Sequence, residues 1–292
     1  MLTQLYRKLV PAPVRDTVYR TFLGRFLNFY RPFRAWLGAT RRGESQEVRQ
    51  AWRILWQKGL SAYPYAWRAT YDHTRYDVMH DAQNGLPYVL HHGRRLYFRR
   101  QTDGTDDRLI ARAYRHLLIE QDPRSAHRYV PDLEHLRGRT LLDIGSAEGI
   151  FALDCMDYVE HACLFECDPA WIEALEATFA PWRDKVTIIR KYVSNADNEN
   201  EITLDTFLQN RPAERLFLKM DIEGYERKAL DGARRLLAQS PGLSGAIAVY
   251  HTPDDEPYIS RHLAAAGYHT QTTPGFLYYG GGLRHAIVRF SR

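Results

Sequence analysis

From residue 139 onward the chain alternates short apolar runs with longer amphipathic ones. Strand-like runs fall at 140–144 (TLLDI), 162–166 (ACLFE), 186–193 (VTIIRKYV), 216–221 (LFLKMD), 245–251 (GAIAVYH), 268–273 (YHTQTT) and 285–290 (HAIVRF). Helical spacing occupies 149–158, 169–179, 223–238 and 256–266 between most of them. Strands alternating with helices predict βαβ units and a mainly parallel sheet, an α/β fold of the Rossmann-like kind. The last two runs are separated only by PGFLYYGGGL, so they should form an antiparallel pair joined by a glycine-rich hairpin.

The first part of the chain has a different texture. After Val18, Phe22, Phe26, Phe29, Phe33 and Trp36 recur at nearly helical spacing, and Pro32 should kink or interrupt that helix. A second helix is expected from Ser45 to Lys58, with Val48, Trp52, Ile54 and Leu55 on its apolar side. Residues 61–85 show no clean period and read as loop. The stretch 86–100 (LPYVLHHGRRLYFRR) reads as a hairpin turning at Gly93, with His91 and His92 exposed beside the turn. A helix follows at about 107–121. The expected organisation is a helical, basic extension over 1–85 and a Rossmann-like domain over 86–292, with the hairpin and helix of 86–138 leading into it.

Composition narrows the setting. The 292 residues are 45% apolar and 26% charged, in the range of a globular protein with a real core. The three cysteines, Cys155, Cys163 and Cys167, are too few for a disulfide framework and read as small core residues in a reducing compartment. No run approaches the roughly 20 apolar residues of a membrane span, and the first residues hold no signal-type apolar stretch. A cytoplasmic protein is therefore expected. The net charge of +5 is uneven: residues 1–60 hold 12 Lys or Arg against three acids, leaving the remainder at about −4. That asymmetry concerns partners rather than chemistry. The N-terminal helices are expected to cap the main domain or pack in a homodimer; the other reading is a basic, aromatic-rich helix lying on the inner membrane surface. Nucleic acid is not expected as a partner.

The candidate chemistry begins at 141–151, LLDIGSAEGIF. Asp143 falls at the end of the first parallel strand, Gly145 allows a tight turn, and Gly149 opens the next helix. The N–H groups of this turn, Ser146 included, suit a carboxylate or a phosphate. A dinucleotide fingerprint would need a glycine where Ala147 stands. S-adenosylmethionine also fits, with Asp143 near its ammonium and the turn near its carboxyl group. Glu166 ends the second strand and is placed to accept hydrogen bonds from both ribose hydroxyls, as nicotinamide enzymes also require. Asp168, before Pro169, reads as a helix cap. Cys167 and Ser194 complete the expected cofactor contacts.

The phrase LFLKMDIEGYERKALDGARRLL, with ITLDTFL before it and LLDIGSAEGIF upstream, resembles the FkbM-type methyltransferases. Lys219, Asp221, Glu223, Gly224, Glu226, Leu230, Gly232, Ala233 and Asp205 carry the resemblance, which extends over about 139–290. The turn Ser146-Ala147-Glu148 departs mildly from that pattern. The resemblance implies a class I S-adenosylmethionine fold with an antiparallel last strand, and O-methyl transfer to a hydroxyl of a glycan, glycolipid or glycosylated metabolite. An NAD-dependent oxidoreductase and a non-catalytic module of the same fold are the competing readings.

A sugar hydroxyl needs a general base or a metal to act as a nucleophile near neutral pH. Asp221 and Glu223 after the fourth strand and His251 after the fifth are the expected catalytic groups. His251 would act as base with Asp221 orienting it; the same three could instead hold Mg²⁺. Lys219 is expected to pair with a nearby acid, and Glu226 to complement a helix dipole. Asp254 and Asp255 are expected to reach substrate hydroxyls, with Tyr278 and Tyr279 on a mobile lid.

Overall fold

The computed structural model describes residues 24–100, 106–210 and 214–292. The start of the first expected helix, with Val18 and Phe22, lies outside them. The chain divides into two compact units. Among the described residues, one comprises those up to Ala69 together with Phe276–Leu283; the other comprises those from Thr70 to Gly275 and Arg284–Arg292. Residues 70–85, which the sequence places with the extension, thus belong to the larger unit.

In the smaller unit α1 (Gly24–Arg41) runs on through Pro32, which is buried within it, so of the kink or interruption expected there the interruption does not occur. Proline costs a helix one backbone hydrogen bond, and here the helix continues past it with the ring buried. The helix α2 (Gln46–Lys58) starts where Ser45 Oγ accepts from the Val48 N–H at 3.2 Å and stops at Gly59, whose φ is +87°. Its Ala51 and Leu55 are buried. The glycine-rich segment is stitched to this unit. Tyr278 N–H donates to Ala62 O at 2.9 Å, Tyr65 OH donates to Phe276 O at 2.8 Å, and Trp52 meets Tyr278 edge-on at 5.9 Å.

The larger unit opens with an antiparallel sheet of β1 (Met79–His80), β2 (Pro87–His91) and β3 (Arg94–Tyr97). The expected hairpin is present, but His91 is buried rather than exposed. Alternation in β2 turns it inward, where its ring bonds Tyr114 OH at 2.9 Å and Asp154 at 2.7 Å. Then come α3 (Asp107–Glu120), β4 (Thr140–Ile144), α4 (Ile150–Cys155), β5 (His161–Phe165), α5 (Pro169–Phe179) and β6 (Val186–Ile189). Asp168 caps α5, accepting from the Ala170 N–H at 2.9 Å, with Pro169 in the first helical turn.

The run expected as one strand over 186–193 divides at Arg190-Lys191. Its second part, β7 (Tyr192–Val193), pairs instead with β8 (Glu201–Ile202). After α6 (Leu204–Phe207) and β9 (Leu216–Met220), the expected helix over 223–238 divides into α7 (Glu226–Asp231) and α8 (Arg234–Gln239). The break is at Gly232, where a Cβ would stand 2.1 Å from the Ser194 carbonyl oxygen. The chain closes with β10 (Ser244–Ala248), α9 (Asp255–Ala265), β11 (His269–Thr272), the small hairpin β12 (Leu277–Tyr279) and β13 (Gly282–Arg284), and β14 (Ile287–Ser291).

Seven of these strands form one sheet in the order β11-β14-β10-β9-β4-β5-β6. The pairs β9–β10, β4–β9, β4–β5 and β5–β6 are parallel, whereas β14 runs antiparallel to both its neighbours. This is the class I α/β arrangement with an antiparallel last strand. β4 and β9 are buried at nearly every position because helices cover both faces of the sheet. Leu142, Phe165, Leu218 and Ile247 sit in its core with the inward faces of α7, α8 and α9. Successive strands add on one side of β4 and then on the other, so the crevice for a ligand opens at the carboxyl ends of β4, β5 and β9. No helix among the described residues is long and apolar enough to cross a membrane.

Candidate functional site

A cavity of about 380 Å³ occupies that crevice. Gly145 and Ala147 follow β4 on its floor; Glu166 and Cys167 follow β5 on one wall; Asp221, Ile222 and Glu223 follow β9 on the other. Trp171, Tyr192 and Tyr225 supply aromatic faces, and the latter two are about half exposed. The size lies within the range of small-molecule sites, as does the mixture of apolar lining with a few converging polar groups.

The glycines of the opening motif have backbone reasons. Gly145 has φ +80°, and a Cβ there would stand 2.1 Å from the Asp221 carbonyl oxygen. The turn after β4 and the turn after β9 therefore touch, backbone to backbone, under the cavity. Gly149, also at φ +80°, packs against Phe179 and Leu175 of α5. Much of the turn's donor capacity is spent internally. The N–H groups of Gly145 and Ser146 both donate to Phe165 O, Gly149 N–H donates to Ser146 O, and Ala147 N–H donates to Glu166 Oε2 at 2.9 Å. Glu166 Oε1 accepts from the Asp168 N–H at 2.8 Å. Glu166 thereby fastens the first turn to the second while facing the cavity. Two non-glycine residues of the cavity lining, Ala147 (φ 47°) and Glu223 (φ 55°), sit in the left-handed region, where side chains are strained.

Asp143 lies beneath this floor and does not line the cavity. It is 1% exposed and its Oδ1 stands 2.9 Å from Lys219 Nζ, its register partner across β4 and β9. Lys219 Nζ also donates to Gly145 O at 2.5 Å. The pairing expected for Lys219 is thus with Asp143. Burial opposes the charge on Lys219, but the nearby Asp143 and Asp221 carboxylates prevail and hold its ammonium form above the usual range.

Asp221 is the centre of a buried polar network. Tyr129 OH donates to its Oδ2 at 2.8 Å, Tyr250 OH approaches at 3.3 Å, His127 Nε2 lies 3.2 Å from Oδ2 and His251 Nε2 lies 3.5 Å from Oδ1. Each imidazole is backed by a glutamate on its other nitrogen. His127 Nδ1 is 3.4 Å from Glu120, and His251 Nδ1 is 2.9 Å from Glu226. Burial alone would raise the Asp221 pKa, yet His127, Lys219 and His251 hold it well below the carboxylate range. The same balance runs in reverse at both histidines: burial lowers their pKa values, and the flanking carboxylates outweigh it and raise them. Nearby, burial and then the charge of Glu120 push Glu148 up to about 8, so this carboxyl keeps its proton at neutral pH.

Of the residues singled out from sequence, Gly145, Glu166, Cys167, Asp221 and Glu223 line the cavity together. Asp143, Ser146, Gly149, Ser194 and His251 stand behind its lining. Ser146 Oγ donates to Asp143 O, and Ser194 is a buried neighbour of Gly232. Asp254 and Asp255 are engaged by Arg227, at 3.0 and 2.8 Å. Glu226 is 1% exposed and accepts from Ile222 N–H, so it is a buried partner of His251 rather than a dipole charge at the surface. His127, Tyr129, Tyr250 and Glu120 escaped sequence reasoning. The first two lie in an irregular segment with no period to read, held in place by Arg289, which donates to the carbonyls of Arg128 and Tyr129 at 2.7 and 2.9 Å. Two neighbouring aromatic-polar residues just before the first parallel strand were the available signal.

The donor atoms of Asp221, Glu226 and His251 lie within 4.8 Å of one another, close enough for one ion. Their charges are already answered, however. His127, Lys219 and His251 compensate Asp221, and His251 compensates Glu226. A hard cation prefers oxygen donors in greater number than two paired carboxylates.

Residues 158–269 match the family model described as the methyltransferase FkbM domain. The match begins after the Asp143–Gly149 turn and includes Glu166, Asp221 and His251. Among solved structures the chain is similar to methyltransferase FkbM from Methylobacillus flagellatus KT, at 18% identity over 64% of this chain and 55% of that one, with a TM-score of 0.42. It is also similar to an rRNA methylase from Streptococcus thermophilus (11% identity, 55% of this chain, 91% of that one, TM-score 0.40). A third is a Streptococcus mutans protein in complex with SAH (10%, 54% and 92%, TM-score 0.40). This chain thus spans about half the length of the M. flagellatus protein. No curated protein matches it.

Proposed function

We propose, from the FkbM methyltransferase domain that residues 158–269 match, that this chain is an S-adenosylmethionine-dependent O-methyltransferase acting on a sugar hydroxyl of a glycan, glycolipid or glycosylated metabolite. The supporting observation is one cavity at the switch point that has a carboxylate, Glu166, at the end of β5 facing another, Asp221, at the end of β9. The residues present fit the cofactor. Glu166 retains lone pairs for ribose hydroxyls beyond its two backbone contacts. Trp171 and Tyr192 would offer flat faces to a purine, and the low-pKa carboxylate of Asp221 would offer a negative charge to an ammonium or sulfonium. When bound, the cofactor supplies an electrophilic methyl group for in-line displacement.

The protein's own task is to orient the hydroxyl and take its proton. Burial lowers the His251 pKa, and Glu226, Asp221 and Glu223 outweigh it and raise it. His251, the base expected from sequence, stands behind the cavity lining, on which Glu223 lies. Glu223, whose side chain is 82% exposed and lies 3.5 Å from His251 Nε2, is the carboxylate of the set that faces both cavity and solvent. It is the group placed to accept the proton, with His251 behind it and Asp221 fixing the imidazole. Mg²⁺ is left out of this reading because the charges around Asp221 already balance.

Titration calorimetry with S-adenosylhomocysteine and with NAD tests the cofactor. The first should bind and the second should not. Glu166→Ala should weaken the first by about 10–100-fold, the worth of charge-assisted hydrogen bonds. Preference for NAD would favour an oxidoreductase, binding of neither would favour a non-catalytic module, and unchanged affinity in Glu166→Ala would remove the role given to that residue. Methyl gain by mass spectrometry over a panel of lipid-linked and nucleotide-linked sugars tests the acceptor.

A further inference from the structure

The smaller unit carries an aromatic strip that the cavity chemistry does not use. Phe29, Phe33 and Trp36 recur on α1 at spacings of four and three, which puts them on one helix face. Trp56 of α2 joins them: its ring is 5.9 Å from Phe29, 4.9 Å from Phe33 and 5.3 Å from Trp36. Four stacked and tilted rings of this kind normally vanish into a core. Here Phe29 is 52% exposed, the adjacent Tyr30 is 40% exposed, and Phe33, Trp36 and Trp56 are only partly covered.

The polar surroundings of the strip carry one sign. Arg31, Arg34 and Arg41 of α1 are exposed, and so are Arg42 in the turn and Arg53 of α2. The Arg34 guanidinium lies 5.8 Å over the Tyr30 ring, beside the strip. Against these, residues 24–69 offer two acids, Glu44 and Glu47, and Glu44 is taken by Arg42 at 2.6 Å. Exposed Phe29 and Tyr30, backed by the partly buried Phe33, Trp36 and Trp56 and bordered by arginines, have the composition of a helix that lies in a lipid headgroup layer. The rings sit at the hydrocarbon boundary and the guanidinium groups among phosphates.

We propose that α1 and α2 dock on an anionic lipid surface, with Phe29 and Tyr30 entering the headgroup region over the cluster of Phe33, Trp36 and Trp56, and Arg31, Arg34 and Arg41 binding lipid phosphates. Charge complementarity selects this occupant. A second copy of the chain would bring the same arginines together, and an apolar protein partner would leave them without counter-charges. The docking is peripheral, and it sets an enzyme of lipid-linked acceptors beside its substrate.

The test is cosedimentation of the full chain with vesicles. Binding is expected to vesicles of about 30% phosphatidylglycerol in phosphatidylcholine and not to pure phosphatidylcholine, and it should weaken as salt rises. Arg31→Glu with Arg34→Glu should weaken it at least tenfold, and Phe29→Ser should weaken it severalfold at both low and high salt. Circular dichroism and S-adenosylhomocysteine affinity should be unchanged in both variants. Equal sedimentation with neutral and anionic vesicles overturns the proposal, and so does full binding by the charge-reversed protein. A dimer by light scattering that Phe29→Ser dissociates, with vesicle binding intact, would assign the strip to self-association and overturn it too.

Discussion

Lys219→Met is expected to destabilise the folded chain by about 3–5 kcal/mol at pH 7, the cost of leaving one member of a buried ion pair alone. The environment of Asp143 sets this magnitude. Its carboxylate is 1% exposed, its Oδ2 has no hydrogen-bond partner among the described residues, and Lys219 Nζ at 2.9 Å is the cation beside it. Removing that ammonium also frees Gly145 O, and with it the contact between the turns after β4 and β9. The pH dependence follows from the sign of the shifts. In the variant, burial acts on Asp143 unopposed, so its folded pKa rises further above the unfolded value near 3.9. The folded state then binds more protons, and the deficit against wild type grows as pH rises from about 4 to 7. Urea unfolding at pH 5 and pH 7.5, with unchanged slope, measures it. The double variant Asp143→Leu, Lys219→Met should recover most of the loss, because an apolar pair of similar volume leaves no stranded charge. A single variant within about 1 kcal/mol of wild type at both pH values would show that the pair does not hold the floor of the site.

The same residues mark what could and could not be read from sequence. The sheet was legible because β4, β5 and β9 are short, mainly apolar runs with Asp143, Glu166 and Asp221 at or just beyond their carboxyl ends, and because a helical run follows each, the one after β5 opening on the Asp168-Pro169 start signal. Glu166 and Asp221 were legible as site residues since they sit at strand ends, where topology alone points them at the crevice. Asp143 has the same position by motif, yet its partner is set by register: Lys219 lies directly across the ladder, and spacing along one chain does not give register. Gly145 and Gly149 were recognised as turn residues, but the atoms that forbid a side chain there belong to segments 76 and 26–30 residues away. His127 and Tyr129 come from coil whose place is fixed by Arg289 at the far end of the chain, so no local pattern announces them. The helical period over 223–238 does not show the break at Gly232, where a close backbone approach overrides it.

Asp221→Asn is expected to lower methyl transfer by at least two orders of magnitude and folding stability by about 3 kcal/mol near pH 6, because two buried imidazolium groups lose their shared counter-charge. An amide oxygen can still accept from Tyr129 and Tyr250, so the hydroxyl contacts survive and the charge is what disappears. The wild-type pH profile shows how the charge acts. Asp221 has a folded pKa below its unfolded value, so its contribution is present above about pH 3.9 and is lost as pH falls towards the folded value. His127 and His251 have folded pKa values above the unfolded 6.5, so their contributions are complete below about 6.5 and are lost as pH rises through the folded values. The network therefore stabilises most between about pH 4 and 6.5, and wild-type stability should decline on the alkaline side. In Asp221→Asn each imidazole loses one of its two flanking carboxylates while Glu120 or Glu226 remains on the other nitrogen, so both pKa values fall and the alkaline decline should become shallower. Denaturant midpoints from pH 5 to 9 for both proteins read this directly, and histidine proton resonances give the two pKa values. A variant with the same alkaline decline as wild type would place the titrating groups elsewhere. Methyl transfer retained within tenfold would separate Asp221 from the chemistry and leave it as an anchor for the fold, with Glu223 and His251 acting without it.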